Sequence, residues 1–220
     1  MNNVFEKSPE NRQVPQHCRV QVSALQTLKP RQWLNDEVLD EYGRLIMERS
    51  LKHGSDTGFH YSKIHIHSCF FFTTLSKQGY KNVARWSKSF NTFDLDLLLF
   101  PIHTTNHWSL GVVDFKKKSI EYYDSFGREN PAFFKLTREY LRSEWLSKKC
   151  KGAFPDRIWK AQCRRDIPRQ SNSWDCGLFV CRYMECLSRN GSWDFAQNDM
   201  SFIRRRILLE ICCGELRAFE

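Results

Sequence analysis

A cysteine followed by glycine at the mouth of an apolar helical run is the first place in this sequence where chemistry can be read. The segment Gln170-Ser-Asn-Ser-Trp-Asp-Cys176-Gly177 leads directly into Leu178-Phe-Val-Cys-Arg-Tyr-Met184. A helix N-terminus offers unpaired backbone N–H groups and the positive end of the macrodipole, and both favour a thiolate. Taken alone, Cys176 reads first as a small buried packing residue, because free cysteine is among the most buried residue types. A nucleophile also needs a base and an orienting carboxylate elsewhere in the chain.

Both are present at a suggestive spacing. His107 opens the run His107-Trp-Ser-Leu-Gly-Val-Val-Asp-Phe115, and Asp124 closes Ile120-Glu-Tyr-Tyr-Asp124. If the two runs pair antiparallel across Lys116-Lys-Lys118, the start of the first strand lies beside the end of the second. The carboxylate can then fix the imidazole tautomer and stabilise the imidazolium. His107 so held can take the Cys176 proton and return it to a leaving amine. Gln170, on the same loop as the thiol, can offer its side-chain NH2 to an oxyanion together with the Cys176 N–H. Loss of such a donor costs about 3 kcal/mol in comparable sites. Each residue has a plainer reading: a strand-end histidine, a turn-forming aspartate, an exposed loop amide. The combination is what favours acyl-transfer chemistry. His60, His65, His67 and His103 lack a matching carboxylate and are expected to be surface or supporting residues.

The elements that must position these groups follow from periodicity. Asn35 or Asp36 can cap a helix with Val38, Leu39, Tyr42, Leu45 and Ile46 at helical spacing. A second helix is expected from Cys69 to Gln78, ended by Gly79, and a shorter one from Asn82 to Lys88. Strands are expected over 95–102, 107–115 and 119–125, with Leu110, Val112, Ile120 and Tyr122 alternating inward. Pro131 opens a helix to about Lys149 whose apolar stripe reads Phe134, Leu136, Tyr140, Leu141 and Trp145. A strand over 157–164 leads to the cysteine loop, and helices over 176–189 and 199–213 end the chain.

With these residues in place, the sequence resembles the SUMO-specific (sentrin-specific) cysteine proteases of the ubiquitin-like-protein protease group. The resemblance covers about residues 20–216: Trp33-Leu-Asn-Asp36, Arg85-Trp86, Leu98-Leu-Phe-Pro-Ile-His103, His107-Trp108, Tyr123-Asp-Ser125, Gln170 and Asp175-Cys-Gly177. It implies an α+β, papain-like fold in altered chain order, a mixed central sheet flanked by helices, with His and Asp preceding Cys. It also implies isopeptidase action on SUMO conjugates and endopeptidase action on SUMO precursors, without metal or cofactor. By position, Cys176 is the nucleophile, His107 the base and acid, Asp124 the orienter and Gln170 the oxyanion donor. Trp33 and Trp108 match the aromatic pair around the substrate's Gly-Gly end, where a channel between two indoles admits glycine and rejects side chains. Asp36 and Arg85 match positions that meet basic and acidic groups of the modifier. Arg169, where relatives often carry a second Gln, and Trp174 before Asp175 depart from the pattern, and Trp174 could narrow the mouth of the site. The other tryptophans, Trp86, Trp145, Trp159 and Trp193, are expected in the core.

Composition bounds the alternatives. The 220 residues, 41% hydrophobic and 14% aromatic, suffice for one core. We expect an extension over residues 1–20 and a catalytic domain over 21–220. No apolar run reaches the ~20 residues of a membrane span, and no secretory signal is expected at the start. Nine cysteines, an odd number, suit a reducing compartment. Cys176, Cys181 and Cys186 turn by about 140° from one to the next on a helix, which argues against a shared metal ion. The net charge of +9 favours acidic partners, but it is dispersed over Lys116–Lys118, Lys148–Lys151 and Arg204–Arg206, which read as solvated surface. A monomer in the nucleus, with the cytoplasm as a second location, is expected, and direct nucleic-acid binding is not. The alternatives are a protease for another modifier such as NEDD8 and a non-catalytic ubiquitin-like-protein binding module.

Overall fold

Runs of Val, Ile, Leu and Phe in the middle of the chain form the centre of a five-stranded sheet in the computed structural model, which describes residues 18–52 and 61–217. The strands are β1 (Ile64–Ile66), β2 (Leu97–Thr104), β3 (His107–Asp114), β4 (Ser119–Tyr123) and β5 (Lys160–Cys163), and their order in space is their order in sequence. β2, β3 and β4 form an antiparallel meander, and β1 and β5 add parallel strands at the two edges, so the sheet is mixed. The expected N-terminal extension lies, through residue 17, outside the described residues, as does His60.

Every residue of β3 and β4 is buried, which explains why these strands read as near-continuous apolar runs: both faces are covered. Side-chain alternation divides them between two cores. Leu97, Leu99, Leu110, Val112 and Tyr123 enter one, and Leu98, Phe100, Ile102, Val113, Ile120 and Tyr122 the other. Leu110, Val112, Ile120 and Tyr122 all point inward as expected, the first two into one core and the last two into the other. Val112 pairs with Glu121 and Val113 with Ile120, so the apolar residues of the two strands are out of phase.

The first core is closed by α2 (Asp36–Lys52), α6 (Cys176–Ser188) and α7 (Met200–Cys213), with the one-turn α1 (Val22–Leu25) beside them. Asn35 caps α2, its Oδ1 accepting the Val38 N–H at 3.2 Å. Except for Leu187, all of α6 is buried, as befits a helix apolar all round. Its two buried charges are paired: Arg182 meets Glu185 at 3.1 Å and Asp194 at 2.7 Å, and Arg49 of α2 meets Glu185 at 2.7 Å.

The second core is aromatic and lies under α3 (Phe71–Gln78), the short α4 (Tyr80–Val83) and α5 (Pro131–Ser147). Asn130 caps α5, accepting the Phe133 N–H at 3.0 Å. The buried face of α5 is Phe133, Thr137, Tyr140, Leu141 and Glu144, not the expected stripe through Phe134, Leu136 and Trp145. Apolar residues stand on several sides of this helix, so the pattern alone leaves its rotation ambiguous. The expected short helix over 82–88 is α4 followed by a 3-10 turn, Ala84–Ser87. β1 was not expected. His67, just beyond it, is a core residue rather than a surface one, its ring stacked on Phe71 at 3.6 Å.

Candidate active site

Cys176 is the first residue of α6 and is buried. The preceding Asp175 does not cap the helix with its side chain, so the free N–H groups of the first turn remain directed at the space around the thiol. The Asp175 carboxylate turns away instead: Oδ1 meets Arg204 at 2.6 Å, and Oδ2 accepts from Asn172 at 2.6 Å and Gln197 at 2.9 Å.

The β3–β4 pairing brings His107 and Asp124 together. Tyr123 lies opposite Leu110, and one further step puts Asp124 diagonal to His107. Across that diagonal Nε2 donates to Asp124 Oδ2 at 2.8 Å. The other oxygen, Oδ1, accepts the Phe126 N–H at 2.7 Å. Burial would raise the Asp124 pKa, but the hydrogen bond and charge of His107 and the backbone N–H groups of Phe126 and Arg128 hold it below the usual value. Burial would likewise depress His107. It is outweighed by the hydrogen bonds and charges of Asp124 and Cys176, which raise the imidazole pKa to about 9. Nδ1 is buried without a partner at normal hydrogen-bond length. With Nε2 committed to Asp124, Nδ1 is the nitrogen left to serve the thiol. Phe126 covers the imidazole face with ring centroids 5.1 Å apart.

Gln170 is buried on the loop before Cys176. Its Oε1 accepts from the Ser125 hydroxyl and its Nε2 donates to Asn172 O at 2.6 Å, which fixes the amide orientation. A carboxamide carries two N–H donors, and this one is held between Ser125, which follows Asp124, and Asn172 on the loop that leads to Cys176.

The two expected channel tryptophans lie along one seam. Trp33 is 48% exposed, and its indole N–H reaches across to Ser173 O at 2.7 Å. Trp108 is buried and donates to Leu34 O at 2.9 Å. Gly177 completes the seam: a Cβ there would come within 2.8 Å of Leu34 Cβ, so the chain segments before α2 and around Cys176 approach too closely for a larger residue. Asp36 begins α2, half-buried, and Arg85 stands exposed on the 3-10 turn Ala84–Ser87. The turn is held by Trp86, packed edge-on against Phe71 at 5.4 Å. Trp159 is buried, Trp86 and Trp193 pack partly buried against the two cores, and Trp145 is half-buried beside the rings of Phe93 and Phe154. Of the two departures, Trp174 lies half-buried with Arg31 5.9 Å above its ring. Arg169 packs its guanidinium over Gly127, whose φ of +74° and lack of a Cβ leave room for it. A cleft lined by Tyr61, Asp114, Arg164 and Trp193 sits at the opposite end of β3 from His107 and contains none of these groups.

Two contributors escaped sequence reasoning. Arg204, expected among solvated charges, is buried and bonded to Asp175. The available signal was its place on the helical stripe of Met200, Ile207, Leu208 and Ile211. Asn172, which orients Asp175 and accepts from Gln170, carried no signal beyond its loop position. Among the described residues, no group of three or more His, Cys, Asp or Glu is placed to hold a metal ion, and no helix is long and apolar enough to cross a membrane.

Residues 32–213 match the Ulp1 protease family, C-terminal catalytic domain. Human sentrin-specific protease 2 is 35% identical over 199 residues, which is 90% of this chain and 33% of that protein. A Caenorhabditis elegans sentrin-specific protease is 39% identical over 194 residues, 88% of this chain and 27% of that protein. The chain thus spans about a third or less of the length of the curated relatives it matches. Among solved structures, the C-terminal Ulp1 protease domain in complex with Smt3, the yeast orthologue of SUMO, superposes with a TM-score of 0.77 at 30% identity, covering 94% of this chain and 90% of that one. A Ulp1 SUMO protease with its catalytic cysteine oxidised to a sulfonic acid gives 0.77 at 29% identity, with 94% and 89% covered. The α+β architecture with its mixed sheet is that of these domains.

Proposed function

The chain belongs to the Ulp1 protease family, and from that premise we propose that it is a cysteine protease cleaving after the C-terminal Gly-Gly of SUMO, in precursors and in isopeptide conjugates. The observation that carries this reading is the His107 ring, bound through Nε2 to Asp124 at 2.8 Å and left with Nδ1 for Cys176.

In the proposed reaction His107 Nδ1 already holds the Sγ proton, as its raised pKa implies, when the sulfur attacks the terminal glycine carbonyl. The oxyanion receives hydrogen bonds from the Cys176 N–H and from a Gln170 N–H. Collapse of the tetrahedral intermediate breaks the C–N bond, and the imidazolium gives its proton to the departing amine. Water, deprotonated by His107, then hydrolyses the thioester. Asp124 remains ionised and holds the ring throughout. Trp33 and Trp108 wall the channel for the two glycines. Asp36 pairs with a basic group of the modifier and Arg85 with an acidic one, and both steer register more than they add affinity.

Residues 21–220 form the proposed catalytic unit, acting as a monomer without metal or cofactor, and residues 1–20 an extension. A nuclear location is inferred from kinship and from the net charge of +9. Turnover of reporters carrying the C-termini of SUMO, NEDD8 and ubiquitin tests the substrate assignment. Preference for SUMO, abolished in Cys176→Ser, is expected. Preference for NEDD8 overturns the substrate while leaving the mechanism, and cleavage of none of them overturns the enzyme assignment.

A further inference from the structure

The guanidinium of Arg204 occupies a position that a structural ion pair alone does not explain. Nε and Nη2 donate to Asp175 Oδ1 at 3.3 and 2.6 Å, on the residue before Cys176. The remaining protons reach the other side of the seam: Nη1 to Thr27 O at 3.1 Å and Lys29 O at 2.9 Å, and Nη2 to Gln32 O at 2.8 Å. Trp174 O lies a further 3.4 Å from Nη2. A guanidinium has five N–H donors in a rigid fork, and all five are occupied by these two chain segments.

Apart from Thr27, which lies inside a 3-10 turn, the points bound are outside regular secondary structure. Lys29 and Gln32 lie in the irregular stretch between the 3-10 turn Gln26–Leu28 and α2, and Trp33 is the next residue along. On the other side, Asp175 and Trp174 immediately precede the thiol-bearing residue. Backbone carbonyls outside regular structure need donors, and here a single buried side chain from α7 supplies them while holding the helix mouth. Two weaker links run parallel, Trp33 Nε1 to Ser173 O and Arg31 over Trp174, but both are at the exposed rim.

We infer that Arg204 is the positioning residue that fixes the Trp33-bearing wall of the substrate channel against the Cys176 loop, and so sets both the width of the channel and its alignment with the thiol. With every proton engaged within the protein, it makes no substrate contact. The inference rests on the proposed Gly-Gly channel for its kinetic consequence and on the hydrogen bonds alone for its structural one.

The test uses the full chain with Arg204→Lys, which keeps the charge in a compact head that cannot span both segments, and Arg204→Leu. Hydrogen exchange requires no substrate. In Arg204→Lys, amides of 27–34 and 171–176 are expected to lose protection together while β2, β3 and the body of α6 keep theirs. Unchanged protection of the two segments, or loss confined to α7, overturns the inference. Kinetics uses SUMO reporters ending in Gly-Gly and Ala-Gly, normalised to the fraction of enzyme labelled by a SUMO C-terminal electrophile. Misalignment of this kind costs about 100-fold in kcat, and discrimination against Ala-Gly is expected to narrow about tenfold. An unchanged discrimination ratio, with activity following only the folded fraction, also overturns it. A wild-type chain that cleaves neither reporter refutes the proposed function, and the exchange experiment still decides the role of Arg204.

Discussion

The two faces of the sheet bury charge in different ways. On the α6 face Arg204 and Asp175 form a buried pair whose remaining hydrogen bonds go to the Thr27, Lys29 and Gln32 carbonyls on one side and the Asn172 amide on the Cys176 loop on the other. On the α5 face the fully buried Glu144 accepts from three hydroxyls, Tyr80 at 2.9 Å, Ser87 at 2.7 Å and Thr92 at 2.8 Å, amid rings of Phe, Tyr and Trp. Lys148 adds bonds to Ser87 O and Phe90 O. Both arrangements hold an irregular segment, but the first aligns a thiol and the second anchors the turn that carries Arg85. The contrast predicts that polar substitutions on the α6 face lower turnover, whereas those on the α5 face lower stability and weaken substrate binding.

The largest effect tests the α6 face at its centre. Asp124→Asn is expected to lower kcat about 10³- to 10⁴-fold by releasing the ring and its tautomer. The pH profile carries a second signature. With His107 raised to about 9, the imidazolium needed by the departing amine is lost as pH rises through that value, so kcat/KM falls on an alkaline limb near pH 9. Removing the Asp124 charge shifts that limb toward lower pH. Gln170→Ala comes next, with kcat down about 10²- to 10³-fold and KM little changed. A change in KM alone would move Gln170 from turnover to binding and weaken the contrast.

Glu144→Ala probes the opposite face. Three hydroxyls are left without their acceptor, at a cost of about 3 kcal/mol in unfolding free energy, measured by urea titration. On the folded protein, KM for a SUMO reporter is expected to rise as the Arg85 turn loosens, with kcat within about twofold. A large loss of kcat would show that the two faces are not separable. Gly177→Ala, on the seam itself, forces a methyl against Leu34 and is expected to cost about 1–3 kcal/mol together with reduced turnover.

The smallest effect is pH-dependent and belongs to the α5 face. Burial lowers His65 to about 4, and burial together with the neighbouring His65 holds His67 well below its ordinary value. An unfolded chain takes up these protons below pH ~6.5 while the folded one does not. Stability from this source is therefore complete above about 6.5 and declines as pH falls toward 4. Denaturant midpoints across that range are expected to fall less steeply in His67→Phe.

What could be read before the fold was known follows from how each signal arises. Helix α2 announces itself because capping and one-sided periodicity agree, α6 and α7 because their apolar residues recur over three turns or more, and β3 and β4 because a three-lysine turn separates two apolar runs. That pairing alone was enough to bring His107 to Asp124. β1 escaped because three residues, Ile64–Ile66, are too few for a period, and its pairing with Leu97–Leu99 is non-local. The rotation of α5 and the division of the hairpin between two cores depend on which partner covers each face, information no single segment contains. Arg204 was hidden by its neighbours: Arg205 is exposed, and a run of like charges reads as a solvated face unless helical phase is applied to each member.

The central claim is that one thiol among nine cysteines is served by His107 and reached through a glycine channel. Labelling with a SUMO C-terminal electrophile, followed by peptide mapping, tests it most directly. The account predicts a single adduct on Cys176, absent in Cys176→Ser and strongly slowed in His107→Ala. An adduct on the exposed Cys213 or any other cysteine, or undiminished SUMO cleavage by Cys176→Ser, would contradict it.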